Sequence, residues 1–313
     1  MDTYLGLDFG GTKLLIGELD EEGHVLRSKR YDTRLSEQKE VAEAILNDLT
    51  DYIKAMGIQG NLKAAGLGIV GIVDNKRGEW VSMNHEITGP PVPIAAMIAD
   101  KLGVPCAVDN DVRSATAAEL ILGQGRTSSD FIYLNVGTGL AAGFVCGGRI
   151  MRGANCNAGE IGHMVVDLSR KESCVCGREG CVENVVSGIG FTRQITSYGL
   201  PELLNAGKRA DVVRLFQGAD AGLKECVEIT EYAAEALACV IMNLVRASDP
   251  DTVILGGGVI SDGWLMEKVN RYLSPETMRG VTGGVIFSSF DLRYAGLIGA
   301  ATLGMLLIKG GNR

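Results

Sequence analysis

The sequence predicts a two-lobed α/β protein, on three observations. Strand-like and helix-like segments are mixed along its length. A strand, a Gly/Thr turn and a returning strand occur twice, at 5–16 and again at 133–145, so two halves begin alike. The 313 residues are enough for two domains at roughly 100–200 residues each. With 46% hydrophobic and 22% charged residues, the chain has material for real cores. No linker or low-complexity segment interrupts it, so the lobes are expected to share a cleft.

In order, residues 3–9 (TYLGLDF), 13–19 (KLLIGEL) and 24–31 (HVLRSKRY) read as three strands of a meander, separated by GGT and DEEG turns. Residues 37–56 place Val41, Ile45, Leu49, Ile53 and Met56 on one helical face, with Ser36 to cap the helix and Gly57 to end it. Residues 64–73 read as one buried strand, 94–102 as a helix, 104–108 as a strand and 111–122 as a helix. The second half starts with strands at 131–136 and 140–146 around GTG. A long helix follows at 221–248, a strand at 251–255, a helix at 262–273, a strand at 284–289 and a last helix at 296–308.

Charge excludes some functions. The net charge is −8 and no Lys/Arg run stands out, which argues against nucleic acid, whose binding is mostly electrostatic. No apolar run approaches the ~20 residues that cross a bilayer. The start, MDTYLGLDFGG, carries Asp2 and Asp8 where a signal peptide has a positive end and an apolar run. The expectation is a cytoplasmic protein that meets neither membrane nor nucleic acid. In a reducing compartment the eight cysteines are not a disulfide framework. Cys106, Cys146, Cys156, Cys226 and Cys239 read as small buried hydrophobes.

The other three cysteines cluster. His163 is followed eleven positions later by Cys174, then by Cys176 and Cys181. Cys3His is a standard ligand set for structural Zn²⁺, and Gly177 and Gly180 let the backbone wrap tightly. Four protein ligands leave no open position, so the ion is expected to be structural. Three glycine turns point to phosphate. DFGGT at 8–12 with Lys13 follows a strand, GTG spans 137–139, and LGGGV spans 255–259. Each alone is compatible with a plain turn; together they favour a phosphate or nucleotide. In VDNDVRSA (108–115) a buried strand ends in Asp109, Asn110 and Asp111 at the mouth of a helix. That is compatible with a helix cap and with a general base.

Taken together, DFGGTK (8–13), ND (110–111), GTG (137–139), GEIGH (159–163), CVCGREGCVE (174–183) and LGGG (255–258) closely resemble the ROK family of sugar kinases and repressors, from the first strand to the last helix. The resemblance implies the actin/hexokinase-type fold, two lobes of ribonuclease-H-like topology. It places residues 1–115 in the first lobe, with 296–313 packed back on it, and 116–295 in the second lobe with the zinc site. It implies phosphate contacts from Gly10, Gly11, Thr12, Lys13, Gly137, Thr138 and Gly139, and adenosine contacts from Gly256, Gly257 and Gly258. Asp8 would help to hold the Mg²⁺ of MgATP. Asn84, Asn110, Glu160, His163 and Glu183 would contact a sugar, and Asp111 would take the proton of its attacking hydroxyl, at C6. Glucose, fructose, mannose, allose, N-acetylglucosamine and N-acetylmannosamine all stay open as the sugar. The resemblance also implies homodimers.

The chain departs from the family pattern at four places. The loop SMNHEITGPPVP lacks a Trp, Arg113 stands where a second Asn usually follows the dyad, and Ala141 and Ala142 follow GTG. The alternative reading is a sugar-sensing regulator of the same family. Seven residues before Asp8, in place of a DNA-reading domain, and the presence of Asp111 favour the kinase.

Overall fold

The computed structural model describes residues 1–10, 13–32, 37–83, 89–169 and 172–310. Gly11, Thr12, Ser36 and Asn84 lie outside the described residues. In chain order the elements run β1 (Asp2–Phe9), β2 (Lys13–Leu19), β3 (Val25–Asp32), α1 (Gln38–Met56), β4 (Asn61–Ile69), β5 (Ile72–Asp74), β6 (Glu79–Ser82), α2 (Ile94–Leu102), β7 (Cys106–Asn110) and α3 (Asp111–Ile121). They continue with β8 (Phe131–Val136), β9 (Leu140–Cys146), β10 (Arg149–Ile150), α4 (Gly188–Ser197), β11 (Leu204–Asn205), β12 (Arg209–Ala210), α5 (Val212–Asp220), α6 (Lys224–Ser248), β13 (Thr252–Gly256), α7 (Trp264–Val269), α8 (Pro275–Met278), β14 (Gly284–Phe287) and α9 (Ala295–Ile308).

Two five-stranded sheets carry the fold, in the orders β3-β2-β1-β4-β7 and β10-β9-β8-β13-β14. By position along the chain these are the same order twice, which is the physical content of the repeat seen in the sequence. In the first, β1, β2 and β3 are antiparallel neighbours, while β4 and β7 join parallel to β1. In the second, β13 lies parallel to both β8 and β14. By internal contacts the chain forms two compact units: Met1–Ser129 with Val145–Ala158 and Ser289–Arg313, and Asp130–Phe144 with Gly159–Ser288. The division thus falls beyond residue 115, where a cut would sever α3.

The first unit follows from alternation along its strands. Leu5, Leu7 and Phe9 of β1 point into one core with Val41, Ile45, Leu49 and Tyr52 of α1 and Ile94 and Ile98 of α2. Tyr4, Leu15 and Leu19 pack on the opposite face with Leu297, Ile298, Ala301 and Met305 of α9 and Ala118 of α3. The helix α9 is mostly small or aliphatic (AGLIGAATLGMLLI) and buried over most of its length. In the second unit one core joins Ile132, Leu134 and Val136 of β8 to Phe191 of α4, Phe216 of α5 and the buried stripe of α6.

Several expectations change. Residues 64–73 are not one strand: Gly71 adopts φ +101°, and the chain turns from β4 into β5. The helix expected at 262–273 is the shorter α7. Of the five scattered cysteines only Cys226 is buried; Cys106, Cys156 and Cys239 are half-buried, and Cys146 is exposed at the end of β9. Alternation along a strand end does not reveal which neighbours cover it. No helix among the described residues is long and apolar enough to cross a membrane.

Gly66 tests the packing of α9. A Cβ there would overlap the carbonyl of Ala300, so the helix backbone lies directly on β4. Gly66→Ala forces the two apart and is expected to lower stability by about 1–3 kcal/mol, measured as a shift in the urea unfolding midpoint with unchanged slope.

Candidate active site and metal centre

The first unit brings Asp8, Asn110 and Asp111 to the same end of its sheet, at β1 and β7 on either side of β4. Asp8 is the penultimate residue of β1, Asn110 ends β7, and Asp111 opens α3 with no loop between. Asn110 caps the helix, because its Oδ1 accepts the N–H of Val112 at 3.0 Å. Its Nδ2 donates to the Gly71 carbonyl at 3.2 Å. One of the two amide hydrogens is thereby committed, and the other remains for a ligand. Asp111 Oδ1 also accepts from the Val112 N–H, at 3.0 Å. The helix-cap and general-base readings of this segment are therefore compatible: Asn110 does the capping, and Asp111 projects from the first turn.

Asp8 lies close enough to Asp111 to feel its charge. Burial and the Asp111 carboxylate raise Asp8 to about 6, against a downward pull from Lys13. Gly296, in the first turn of α9, is what makes room for Asp8, since a Cβ there would collide with its carboxylate. Gly10 donates its N–H to the Lys13 carbonyl at 3.2 Å, closing the turn between β1 and β2.

Before Asn110 comes a residue that the sequence reading used only as part of a cap. Asp109 is buried, and Arg113 Nε donates to its Oδ1 at 2.7 Å while Arg152 Nε donates to its Oδ2 at 2.9 Å. Arg113 is itself buried. The departure at Arg113 is thus an internal ion pair one turn of helix from Asp109, spaced i,i+4.

The second unit carries the other two glycine turns and the Cys/His cluster. Gly137, Thr138 and Gly258 line one cavity of about 640 Å³. Its remaining wall comes from Gly188, Ile189, Thr192 and Arg193 of α4, from Lys208 to Ala210 at the β11–β12 hairpin, and from Val212 and Val259. The N-terminus of α4 meets the GTG turn directly: Gly188 N–H donates to the Gly137 carbonyl at 2.9 Å and Ile189 N–H to the Thr138 carbonyl at 3.0 Å. Gly257 has φ +96°, and a Cβ there would overlap the Val136 carbonyl, so LGGG is held against the end of β8. The sequence reading missed α4 and the hairpin. Ser187, whose Oγ caps α4 by accepting the Gly190 N–H at 2.9 Å, was the available signal.

Glu183 binds the same turn from below. Its Oε2 accepts the N–H of Leu140 at 3.0 Å, and a Cβ on Gly139 would sit 2.7 Å from that oxygen. Glu160 precedes the short helical turn Ile161–His163, and both Glu160 and His163 are half-buried.

The ligand atoms of His163, Cys174, Cys176 and Cys181 all lie within 4.8 Å of one another. His163 Nδ1 is 3.4 Å from Cys174 Sγ, and Cys176 Sγ is 3.6 Å from Cys181 Sγ. A tetrahedron with bonds of about 2.1–2.3 Å has edges of roughly 3.4–3.8 Å, so the four donors already have the spacing of one ion's coordination sphere. Gly177 and Gly180, at φ +82° and +73°, turn the backbone between the thiols. Burial and the neighbouring thiols push Cys181 up to about 12. Burial also opposes ionisation of Cys176, but the Arg178 N–H and the other thiols outweigh it and hold Cys176 below its usual value. Thiols crowded in this way cannot all ionise without a cation among them.

Asp8 yields a pH test on the metal-free protein. Its folded-state value, about 6, lies above the ordinary 3.8. The folded state therefore holds the proton more tightly, and stability falls as pH rises from about 4 to about 6. Asp8→Asn removes that penalty. Thermal unfolding in chelator is expected to show stabilisation of about 1–3 kcal/mol at pH 8, vanishing near pH 4.

Several known proteins are similar to this chain over nearly its whole length. A curated glucokinase of Halalkalibacterium halodurans is 27% identical over 96% of this chain and 94% of its own. The crystal structure of a ROK hexokinase from Thermus thermophilus is similar with a TM-score of 0.77 and 30% identity, covering 99% of this chain and all of that one. That of a ROK family glucokinase from Streptomyces griseus, in complex with glucose and AMPPNP, has a TM-score of 0.75 and 26% identity, covering 97% of this chain and 99% of that one. The fold is the mixed α/β fold of the actin-like ATPases. Residues 4–305 match the ROK family from the first strand into the last helix, and the chain belongs to that family.

Proposed function

We propose that this protein is an ATP-dependent sugar kinase, transferring the γ-phosphoryl group of MgATP to the C6 hydroxyl of a hexose or N-acetylhexosamine. The observation that carries the reading is the pair Asp8 and Asp111. Two carboxylates near each other, one of them raised to about 6 by burial first and by the other's charge second, suit a site where a cation and a hydroxyl proton are both handled. The glucokinase with glucose and AMPPNP supports the same pairing of ligands.

Phosphoryl transfer asks the protein chiefly for position and electrostatics. Asp111, at the start of α3, accepts the proton of the attacking hydroxyl as its oxygen takes the phosphoryl group. Asn110 uses its remaining amide hydrogen to orient the sugar. Asp8 fits the task of holding Mg²⁺, since a cation relieves its repulsion with Asp111; bound with ATP, that ion neutralises charge on the phosphates. Gly10, Lys13 and the described GTG and LGGG turns contact the nucleotide, as do Gly11 and Thr12 outside the described residues. Ile189 and Val212 offer apolar wall for the base, and Lys208 and Arg209 offer positive charge.

The Cys3His set fits structural Zn²⁺, which takes four N/S donors at this spacing. With Nδ1 of His163 turned to the thiols, its other ring nitrogen can meet the sugar, alongside Glu160 and Glu183. Asn84 belongs to the same proposal. A homodimer and a cytoplasmic setting belong to it as well, supported by the family resemblance and by thiols that suit a reducing compartment.

Three measurements check this reading. ADP release with glucose, fructose, mannose, allose, N-acetylglucosamine and N-acetylmannosamine is expected to single out one or two sugars; release with none overturns it. Asp111→Asn keeps shape and removes the base, so kcat is expected to fall at least ~10²-fold while sugar binding survives in fluorescence titration. Elemental analysis of protein purified without added metal is expected to find about one zinc per chain. Cys176→Ala loses it and unfolds at lower temperature, because metal affinity contributes directly to folding.

A further inference from the structure

We propose that Arg113 and Arg152 are positioning residues, acting through Asp109 to fix the strand-to-helix junction that presents Asn110 and Asp111. The inference rests on the proposed role of Asp111. At this junction β7 passes into α3 without a loop, so the direction of the Asp111 side chain is set by the peptide groups on either side of Asn110. The carboxylate of Asp109 governs those groups. Its Oδ1 accepts the backbone N–H of Asn110 at 2.8 Å as well as Arg113 Nε at 2.7 Å, and its Oδ2 accepts Arg152 Nε at 2.9 Å. Both oxygens are engaged, so the carboxylate cannot rotate without breaking a charge-assisted bond. The carbonyl of Asn110 is held from the other side by Ser114 Oγ at 2.8 Å. Arg113 Nη1 reaches the Ala158 carbonyl at 3.4 Å, in the same chain segment as Arg152.

Stability alone does not account for this arrangement. The Asp109 side chain is 1% exposed, that of Arg113 4% and that of Arg152 20%. Two guanidinium groups thus meet one buried carboxylate. Arg113 Nη2 is buried with no hydrogen-bond partner among the described residues. A buried charged donor without a partner disfavours the folded state, and an apolar side chain of similar length would avoid that. What the fork supplies and an apolar residue cannot is a fixed geometry at Asp109.

The test is Arg113→Met, with steady-state kinetics on the most active sugar of the panel and a melting curve. Asp109 then still has Arg152 and the Asn110 N–H, so the variant is expected to melt within about 5 °C of the parent. Its kcat is expected to fall ~10–100-fold, with KM for ATP changed less than about twofold. Arg113→Lys, which keeps a cation for Asp109 Oδ1, is expected to recover most of the lost kcat. If Arg113→Met does not fold, Arg152→Met is the deciding variant, with an expected loss of roughly 3–10-fold in kcat. A parent-like kcat in the folded variant overturns the inference, as does a loss that tracks a fall in melting temperature and is not recovered by Lys. Asp111→Asn is assayed in parallel. If it retains kcat, the base assignment falls and this inference with it; if it collapses while Arg113→Met does not, only this inference falls.

Discussion

The close approach of α9 to the first sheet is the constraint on which the rest of the first unit depends. Backbone meets backbone there. Gly6 and Gly66 leave no side chain between strand and helix, and a Cβ on either would run into the carbonyl of Leu297 or Ala300. Close packing of this kind tolerates little displacement. It therefore transmits position: the first turn of α9 brings Gly296 against Asp8, and Gly299 against the backbone of Ser114 in α3. The helix that completes the core thus also sets the room left for Asp8 and the height at which α3 begins. A glycine in a strand is ordinarily a weakness; here it is the condition for a chemical group to sit where it does.

Electrostatics at the site runs against the stability of the empty protein. Asp8 and Asp111 repel each other, and Arg113 carries a buried donor without a partner among the described residues. The thiols of Cys174, Cys176 and Cys181 crowd one another around His163. The carboxylate pair and the thiol cluster are each unfavourable alone and are the kind of arrangement that a cation relieves. Binding sites are where a protein keeps such groups, because the ligand supplies the missing interaction. The surface network of Glu231 with Lys268, Arg271 and Tyr272 is the contrast. Its carboxylate is fully engaged at the surface, where water screens the second cation, and after the opposing effect of burial the Arg271 and Lys268 bonds hold Glu231 down at about 2. It joins α6 to α7, and nothing there waits for a partner.

The glycine turns of the second unit work by a different rule. GTG is held by the N–H groups that open α4 and by Glu183 through Leu140. A turn fixed from several directions keeps its free N–H groups pointing one way, which is what an anion site needs. Glu183 braces this turn through Leu140, and under the proposed function its other oxygen is the one offered to a sugar.

The sequence by itself determined many of the longer elements and the duplicated start of the two halves, because periodicity 2 against 3.6 and the glycine turns are local signals; it showed nothing of α4, α5 or the β11–β12 hairpin. Strands at 131–136 and 140–146 and the helix at 94–102 match the structure residue for residue. It also picked out the cluster of His163, Cys174, Cys176 and Cys181, since the four lie within nineteen residues. Only the tertiary structure decided the rest. In sequence Arg113 is only a departure beside the dyad; in the structure it bonds Asp109 and the Ala158 carbonyl, while Arg152 meets the same Asp109 carboxylate from about forty residues away, and no local pattern encodes that distance. The wall of the cavity comes from α4 and from a hairpin whose strands, two residues each, are too short to show a period. Asp8 is raised to about 6 not by its neighbours in sequence but by burial under α9 and by Asp111, more than a hundred positions on. A pKa depends on the field and the solvent that a site meets in three dimensions, and those exist only once the chain has packed.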